Sequence, residues 1–198
     1  TDLVVFTLHA GRDQIKDTAV SVDDIVDRVG NSLVGRSRTS AKTLKSAGGS
    51  SSYLKRPITI KQSDYNTLYG ELLYGGSAMQ GWRTSMEDTH LACNLRIGDE
   101  PANLVCVFDG HNGDLVANEA ARHIKEKMQT VLSGCSASDP TTIGEKMQEG
   151  FMLLDEDLKN MSPVQSGQDL SGCTAIAAII TKTHYIVANA GDARGILM

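Results

Sequence analysis

The chain has 198 residues, of which 40% are hydrophobic and 22% charged, and its formal net charge at pH 7 is -5. This composition is that of an ordinary globular protein, and the acidic balance argues against nucleic acid as the main partner, because binding to a phosphate backbone usually requires a basic excess. No apolar run reaches the roughly 20 residues that a membrane-spanning helix needs. We therefore expect one globular domain, or a domain with an extension, and no membrane span.

The cysteines indicate a reducing compartment. Cys93, Cys106, Cys135 and Cys173 stand at no close spacing, and three of them lie in apolar or strand-like surroundings. Their even number permits two disulfides, but their density is far below that of a secreted disulfide scaffold. We predict reduced, largely buried thiols in an intracellular protein, either cytoplasmic or nuclear.

Residues 1–52 are predicted to form an N-terminal extension. The run of apolar residues at 3–6 predicts a short strand. Residues 21–29 predict a helix, because they combine a capping serine with an apolar face at helical spacing. From 29 to 63 no acidic residue occurs, whereas Ser, Gly, Lys and Arg are frequent. Such a segment buries too little apolar surface to fold alone, so we predict a solvated basic linker.

The pattern of predicted elements changes after residue 68. Their order, with strands first, then two helices and a β meander, predicts an α+β fold rather than alternating βαβ units. The second helix is predicted to start at Thr142, which can form a capping box with Glu145. The strands are predicted over 69–79, 89–97, 104–108, 174–180 and 185–189, with a last one from Gly195, and the first helix over 116–131.

Two polar segments, 81–90 and 108–113, place acidic side chains at strand ends. Asp109 follows an apolar strand and precedes a glycine, so its carboxylate is held rigidly beside an accessible backbone carbonyl. Hard cations such as Mg²⁺ and Mn²⁺ prefer oxygen ligands of this kind, with water completing the shell. Glu87 and Asp88 could complete such a site from the neighbouring strand.

Two further side chains in these segments suit phosphate chemistry. Arg83 lies four residues before Glu87 and offers a planar fork of donors that matches a phosphate. His111 could give a proton to a leaving oxygen. Taken singly, each residue has a commoner explanation: an Asp-Gly turn, a solvated acidic pair, a surface cation or a structural histidine. The chemistry alone therefore indicates a metal and phosphate site without establishing one.

Four segments together resemble the signature blocks of the metal-dependent type 2C protein serine/threonine phosphatases. They are Ser-Ala-Met-Gln-Gly-Trp-Arg-Thr-Ser-Met-Glu-Asp-Thr-His at 77–90, Val-Phe-Asp-Gly-His-Asn-Gly at 107–113, Ser-Gly-Cys-Thr-Ala at 171–175 and Ala-Asn-Ala-Gly-Asp-Ala-Arg at 188–194. They stand in the family's order and at plausible spacing. The resemblance covers 69–198, and residues 53–198 are predicted to form the N-terminal part of the catalytic domain.

The resemblance implies a metal site with two ions, Mg²⁺ or Mn²⁺, in the complete domain. Asp109 would bridge the ions, and Glu87 and the carbonyl of Gly110 would bind one of them. Asp88 would hold water that coordinates the metal, without touching the ion itself. The family takes further carboxylates from its C-terminal half, so the resemblance implies that this chain alone lacks part of the metal site. A complementing C-terminal part of the domain, from the same protein or from another chain, would supply them.

The activity implied is hydrolysis of phosphoserine and phosphothreonine on proteins by a metal-activated water. Arg83 would bind the substrate phosphate and His111 would be the general acid. No cysteine nucleophile is needed for this reaction. The alternative is a non-catalytic type 2C-like module that binds kinases or phosphoproteins. An unrelated α+β domain whose motifs match by accident is the third reading.

The family fold implied is a four-layer αββα sandwich of two antiparallel sheets flanked by helices, incomplete in this chain. Two positions depart from the pattern expected for the family, and a third could be either structural or metal-binding. Asn112 stands where a small residue is usual, but Asn tolerates a left-handed backbone. Cys173 replaces a small polar residue and is expected to be packed, and Asp192 is expected to belong to a structural turn rather than to bind metal.

Overall fold

The computed structural model describes residues 3–9, by their backbone only, and residues 53–197. The predicted helix at 21–29 and most of the predicted linker lie outside these segments. None of the helices in these segments combines the length and the hydrophobicity that spanning a membrane requires. The described elements are β1 (Leu3–His9), β2 (Tyr53–Thr67), a 3-10 turn (Tyr69–Glu71), β3 (Leu73–Arg83), β4 (Thr89–Ile97), β5 (Glu100–Phe108), β6 (Gly110–His111), α1 (Leu115–Val131), α2 (Pro140–Asn160), α3 (Ser162–Gln165), β7 (Gly172–Cys173), β8 (Ala175–Ile180) and β9 (Tyr185–Ala190).

The centre of the fold is a four-stranded antiparallel sheet in the order β4-β5-β8-β9. Alternate residues of each strand point to opposite faces, and one face packs against α1 and α2. The second half of β5, residues 104–108, is an unbroken apolar run because both of its faces are covered. Leu104 and Phe108 face the helices, and Val105 faces a second cluster that includes Leu68 and Tyr74. Burial on both faces explains why hydrophobicity does not alternate there.

The two long helices bury one stripe each against the sheet. The apolar residues that recur at helical spacing in the sequence, from 116 to 131 and from 143 to 158, are buried in both helices. The start of α2 is different from the prediction. The helix begins at Pro140, and the carboxylate of Asp139 accepts hydrogen bonds from the backbone N–H of Thr142, at 3.1 Å, and from its hydroxyl, at 2.7 Å. The predicted capping box is therefore wrong, since Asp139 is the stronger cap and proline fits the first helical position. The buried stripe residues are Val116, Ala120, Ile124, Met128, Val131, Ile143, Met147, Phe151, Leu154 and Leu158.

A three-stranded antiparallel sheet, ordered β1-β3-β2, forms from the N-terminal strands. The apolar run at 3–6 lies in a strand as predicted, and this strand, β1, pairs with β3. The linker predicted for 29–63 is wrong for residues 53–63, because they form most of β2. That strand is almost entirely exposed, so its pairing with β3 rests on backbone hydrogen bonds, which composition does not reveal.

The α+β fold of antiparallel sheets flanked by helices is confirmed. Helices cover one face of the central sheet in the described part of the chain, and residues 68–74 cover part of the other face. The strand predicted from Gly195 is wrong, because residues 193–197 form no regular element and residues 194–197 are exposed. All four cysteines are free thiols, as predicted, and Cys106 and Cys173 are buried.

Candidate active site

The four resemblance segments meet at one edge of the central sheet. Because the strands are antiparallel, β4 and β8 begin at the edge where β5 and β9 end. Thr89 pairs with Phe108, so the next residues outward, Asp88 and Asp109, stand opposite each other. We call this the site edge and define it as residues 87–88, 109–111, 172–174 and 191–192.

The pairing of strands β5 and β8 continues through the site edge without a shift. Val107 pairs with Ile176 and Gly110 with Cys173, so Asp109 lies directly opposite Thr174. The backbone N–H of Thr174 donates a hydrogen bond of 2.8 Å to the carbonyl of Asp109. This bond and the flanking pairs hold the backbone of Asp109 in a fixed place.

Glu87 and Gly110 are in direct backbone contact. A Cβ atom at position 110 would lie 2.3 Å from the carbonyl oxygen of Glu87 and 3.2 Å from its Cβ. Only glycine fits so close to the backbone of another segment, since the obstructing atom cannot rotate away. The structure thus places two of the predicted metal-binding residues side by side.

Arg83 reaches this pair from the end of β3. Its Nη2 lies 3.8 Å from Oε2 of Glu87, which is longer than a hydrogen bond. Glu87 is buried, and its other carboxylate oxygen accepts a 2.7 Å hydrogen bond from the Ser85 hydroxyl. The guanidinium is partly exposed, so its N–H donors remain within reach of solvent and of a solute anion.

Asp109 also acts electrostatically on its neighbour across the strands. The pKa of Cys173 is raised to about 12, mainly because the thiol is buried and further because the charges of Asp109 and Asp155 oppose ionisation. Asp155 is a buried residue of α2 that forms an ion pair with Lys159. Cys173 is therefore a neutral, packed thiol at any pH near 7, as the sequence predicted.

His111 is set by the pairing of β6 with β7. It stands opposite Gly172, and a Cβ there would lie 2.7 Å from the Nε2 atom of the imidazole. The ring therefore lies over the bare backbone of Gly172. The next residue, Asn112, has a φ of 59°, in the left-handed region that asparagine tolerates, as predicted. This turn leads the chain from β6 towards the N-terminus of α1.

The donor types at the site edge fit a hard cation. Carboxylates of Glu87, Asp88 and Asp109 and the carbonyl of Gly110 are the oxygen ligands that Mg²⁺ and Mn²⁺ prefer. The closeness of Gly110 to Glu87 is the observation that supports this fit. Among the described residues, however, no three His, Cys, Asp or Glu side chains converge closely enough to enclose an ion. A cation here would need water or further ligands to complete its shell.

Sequence reasoning gave no role to Gly172 or Thr174. The first makes room for His111, and the second is buried opposite Asp109. The sequence feature that could have identified them is the short polar segment 171–175, which directly precedes an apolar strand. Asp192, by contrast, is exposed at the outer end of the site edge.

Residues 72–198 match the family model described as protein phosphatase 2C. The chain is 35% identical over 154 residues to protein phosphatase 1B of Mus musculus, a match that covers 73% of this chain and 39% of that relative. It is 36% identical over 130 residues to protein phosphatase 1A of Homo sapiens, covering 64% of this chain and 34% of the relative. The chain thus spans about two fifths or less of the length of these curated relatives.

A solved structure described as serine-threonine phosphatase 2C from Toxoplasma gondii also resembles the chain. Its TM-score is 0.47 at 18% sequence identity, and the match covers 71% of this chain and 46% of that one.

Replacing Gly110 by alanine is expected to disrupt the site edge. The added Cβ would overlap the Glu87 carbonyl, so the backbone must move, and we expect a loss of about 1–3 kcal/mol in the free energy of unfolding. The matched control is Gly134→Ala, where a Cβ meets nothing within 4 Å. Urea unfolding of both variants measures the difference. Equal stability of the two variants would show that Gly110 is not in close contact with the Glu87 backbone.

Proposed function

The chain belongs to the protein phosphatase 2C family, and on that premise we propose that the protein hydrolyses phosphoserine and phosphothreonine on other proteins with Mg²⁺ or Mn²⁺. The observation that carries the proposal is the meeting of four sequence segments at the site edge. Asp88, Asp109, Thr174 and Gly191 come from distant parts of the chain and are brought to one edge by strand pairing.

Glu87, Asp109 and the carbonyl of Gly110 are the groups proposed to hold a cation. Such an ion supplies two things when bound, a lowered pKa for water and compensation of the charge on a phosphoryl group. Asp88 stands opposite Asp109 and is proposed to orient water at the site. The rigid pairing on both sides of Asp109 suits this task, because displacing a reacting group by 1 Å can slow a reaction 10²-fold or so.

Arg83 is proposed to bind the substrate phosphate. A guanidinium forms two parallel hydrogen bonds to phosphate oxygens, and such charge-assisted pairs are roughly twice as strong as neutral ones. The 3.8 Å contact with Glu87 draws the side chain towards the site edge without using a close hydrogen bond. Its partial exposure lets a phosphorylated peptide approach from solvent.

His111 is proposed to protonate the leaving oxygen of the serine or threonine. The imidazole lies at the site edge, on the same sheet face as Asp109 by strand alternation. The ring lies against the backbone of Gly172, and this backbone cannot move aside as a side chain could. The imidazole therefore cannot move in that direction. A general acid needs this kind of fixed position relative to the atom that it protonates.

Phosphate release from phosphoserine peptides tests the proposed function. We expect the full-length protein to release phosphate in Mn²⁺ and to release none after chelation with EDTA. In the Asp109→Asn variant the rate of release should fall by more than the roughly 10–100-fold that is typical when a residue hydrogen-bonded to a metal ligand is replaced. Asp99→Asn is the matched control. Asp99 is exposed at the turn between β4 and β5, at the opposite edge of the sheet, and its replacement is expected to leave the rate unchanged.

Phosphopeptide binding, measured beside phosphate release, distinguishes the alternative, a regulatory module without turnover. A protein that binds phosphopeptides equally well in Mn²⁺ and in EDTA, and releases no phosphate, would support the module and contradict the proposed hydrolysis. Activity that survives in Asp109→Asn would show instead that hydrolysis occurs elsewhere than at the site edge.

The role of His111 is tested with two substrates. We expect His111→Ala to slow hydrolysis of phosphoserine peptides by roughly 10²–10⁴-fold, because an alkoxide leaves poorly without a proton. An aryl phosphate should be affected much less, since a phenolate needs little protonation to leave. His123→Ala provides the control from an exposed histidine of α1. A similar loss on both substrates would refute the proton-donor role.

A further inference from the structure

The hydroxyl of Thr174 has no hydrogen-bond partner in the described part of the chain, although it is buried. The residue is 9% exposed, and its Oγ1 atom is shielded from solvent and makes no hydrogen bond. A buried hydroxyl without a partner has lost its hydrogen bonds to water and gained none in return, so each such group in a protein calls for an explanation. The proposed mechanism gives this hydroxyl no task.

Strand alternation places Thr174 beside the proposed cation-binding groups. Ala175 and Ala177 face the helices, so Thr174 faces away from them, and Phe108 and Asp109 are related in the same way. Asp109 and Thr174 therefore share one face and stand directly opposite each other. Side chains at directly opposed positions have Cβ atoms about 4.5–5.5 Å apart, which is within reach of a hydrogen bond between hydroxyl and carboxylate.

The orientation of Thr174 is fixed by Gly191 on its other side. A Cβ at Gly191 would lie 2.7 Å from both Cβ and the methyl Cγ2 of Thr174. The methyl group therefore packs towards Gly191, and the hydroxyl is not among the atoms nearest to that glycine. A threonine has few staggered rotamers, so a fixed methyl also fixes the direction of the hydroxyl.

A second buried polar atom lies on the same face, one row further into the sheet. Asn189 pairs with Ile176, and its Oδ1 is also buried without a hydrogen bond among the described residues. Its Nδ2 donates to the carbonyl of Gly191 at 3.1 Å. Asn189 therefore holds in place the backbone against which Thr174 packs.

We infer that Thr174 is a positioning residue, whose hydroxyl donates a hydrogen bond to the Asp109 carboxylate when that carboxylate turns to hold the cation. The inference rests on the proposed function. It explains the absence of a hydroxyl partner, since the acceptor takes its final orientation only on metal binding. It also explains the need for threonine: valine would keep the packing but lose the donor, and serine would keep the donor but lose the methyl contact.

Three variants of the full-length protein test this role, with Mn²⁺ titration by calorimetry and thermal unfolding of the metal-free protein as the readouts. Thr174→Val should weaken Mn²⁺ binding by roughly 10- to 100-fold, without lowering the melting temperature of the metal-free protein. Thr174→Ser should restore most of the affinity. Thr181→Val is the matched control from the opposite edge of the sheet.

Thr181 is likewise a buried threonine, but its hydroxyl oxygen accepts hydrogen bonds from the backbone N–H groups of Thr183 and His184, at 3.3 and 3.0 Å. Thr181→Val should therefore lower the melting temperature and leave Mn²⁺ affinity unchanged. Thr174→Val is thus expected to change Mn²⁺ affinity alone, and Thr181→Val to change the melting temperature alone.

Each other result overturns the inference. Wild-type Mn²⁺ affinity in Thr174→Val would overturn it while leaving the proposed function intact. Equal loss of affinity in Thr174→Val and Thr174→Ser, or a large fall in the metal-free melting temperature of Thr174→Val, would show a structural role. Absence of Mn²⁺ binding in the wild-type protein would contradict the proposed function itself, and the inference with it.

Discussion

The antiparallel pairing of the central sheet is the constraint on which the rest of the structure depends. Because β4, β5, β8 and β9 alternate in direction, the residues before β4 and β8 and those after β5 and β9 must meet at one edge. The register does not shift between β5 and the short strand β6, so it sets which side chains face each other there. A slip of one residue would turn Asp109 from one face to the other.

Tight backbone contacts make the site edge rigid. Gly110 leaves room for the Glu87 carbonyl, Gly172 for the imidazole of His111, and Gly191 for Thr174. At Gly110 the group that lies where Cβ would be is backbone, whereas at Gly172 and Gly191 it is the side chain of His111 or of Thr174. The apolar residues between the sheet and the helices pack against the site edge. Cys173 belongs to that apolar cluster, and the charge of Asp109 helps to raise the pKa of its thiol.

Much of this organisation could be predicted from the sequence, for identifiable reasons. The strand at 89–97 and the stripes of α1 and α2 followed from hydrophobic periodicity, since burial against one partner leaves a clear pattern. The family resemblance predicted that 77–90 and 107–113 contribute to one site.

Strand β2 was missed because its side chains are exposed and its stability comes from backbone pairing. Thr174 was missed because a single polar residue carries no periodic signal, and only the register shows what stands opposite it.

The most direct test of the central claim is paramagnetic broadening of backbone amide NMR signals at low Mn²⁺ concentration. The ion is expected to broaden first the amides of 87–88, 109–111 and 172–174, which share the site edge. Those at 98–99 and 181–184 lie at the opposite edge, roughly 20 Å away along a six-residue strand, and should keep their intensity. Broadening centred on that far edge, or spread evenly over the exposed acidic residues of α1 and α2, would contradict the account.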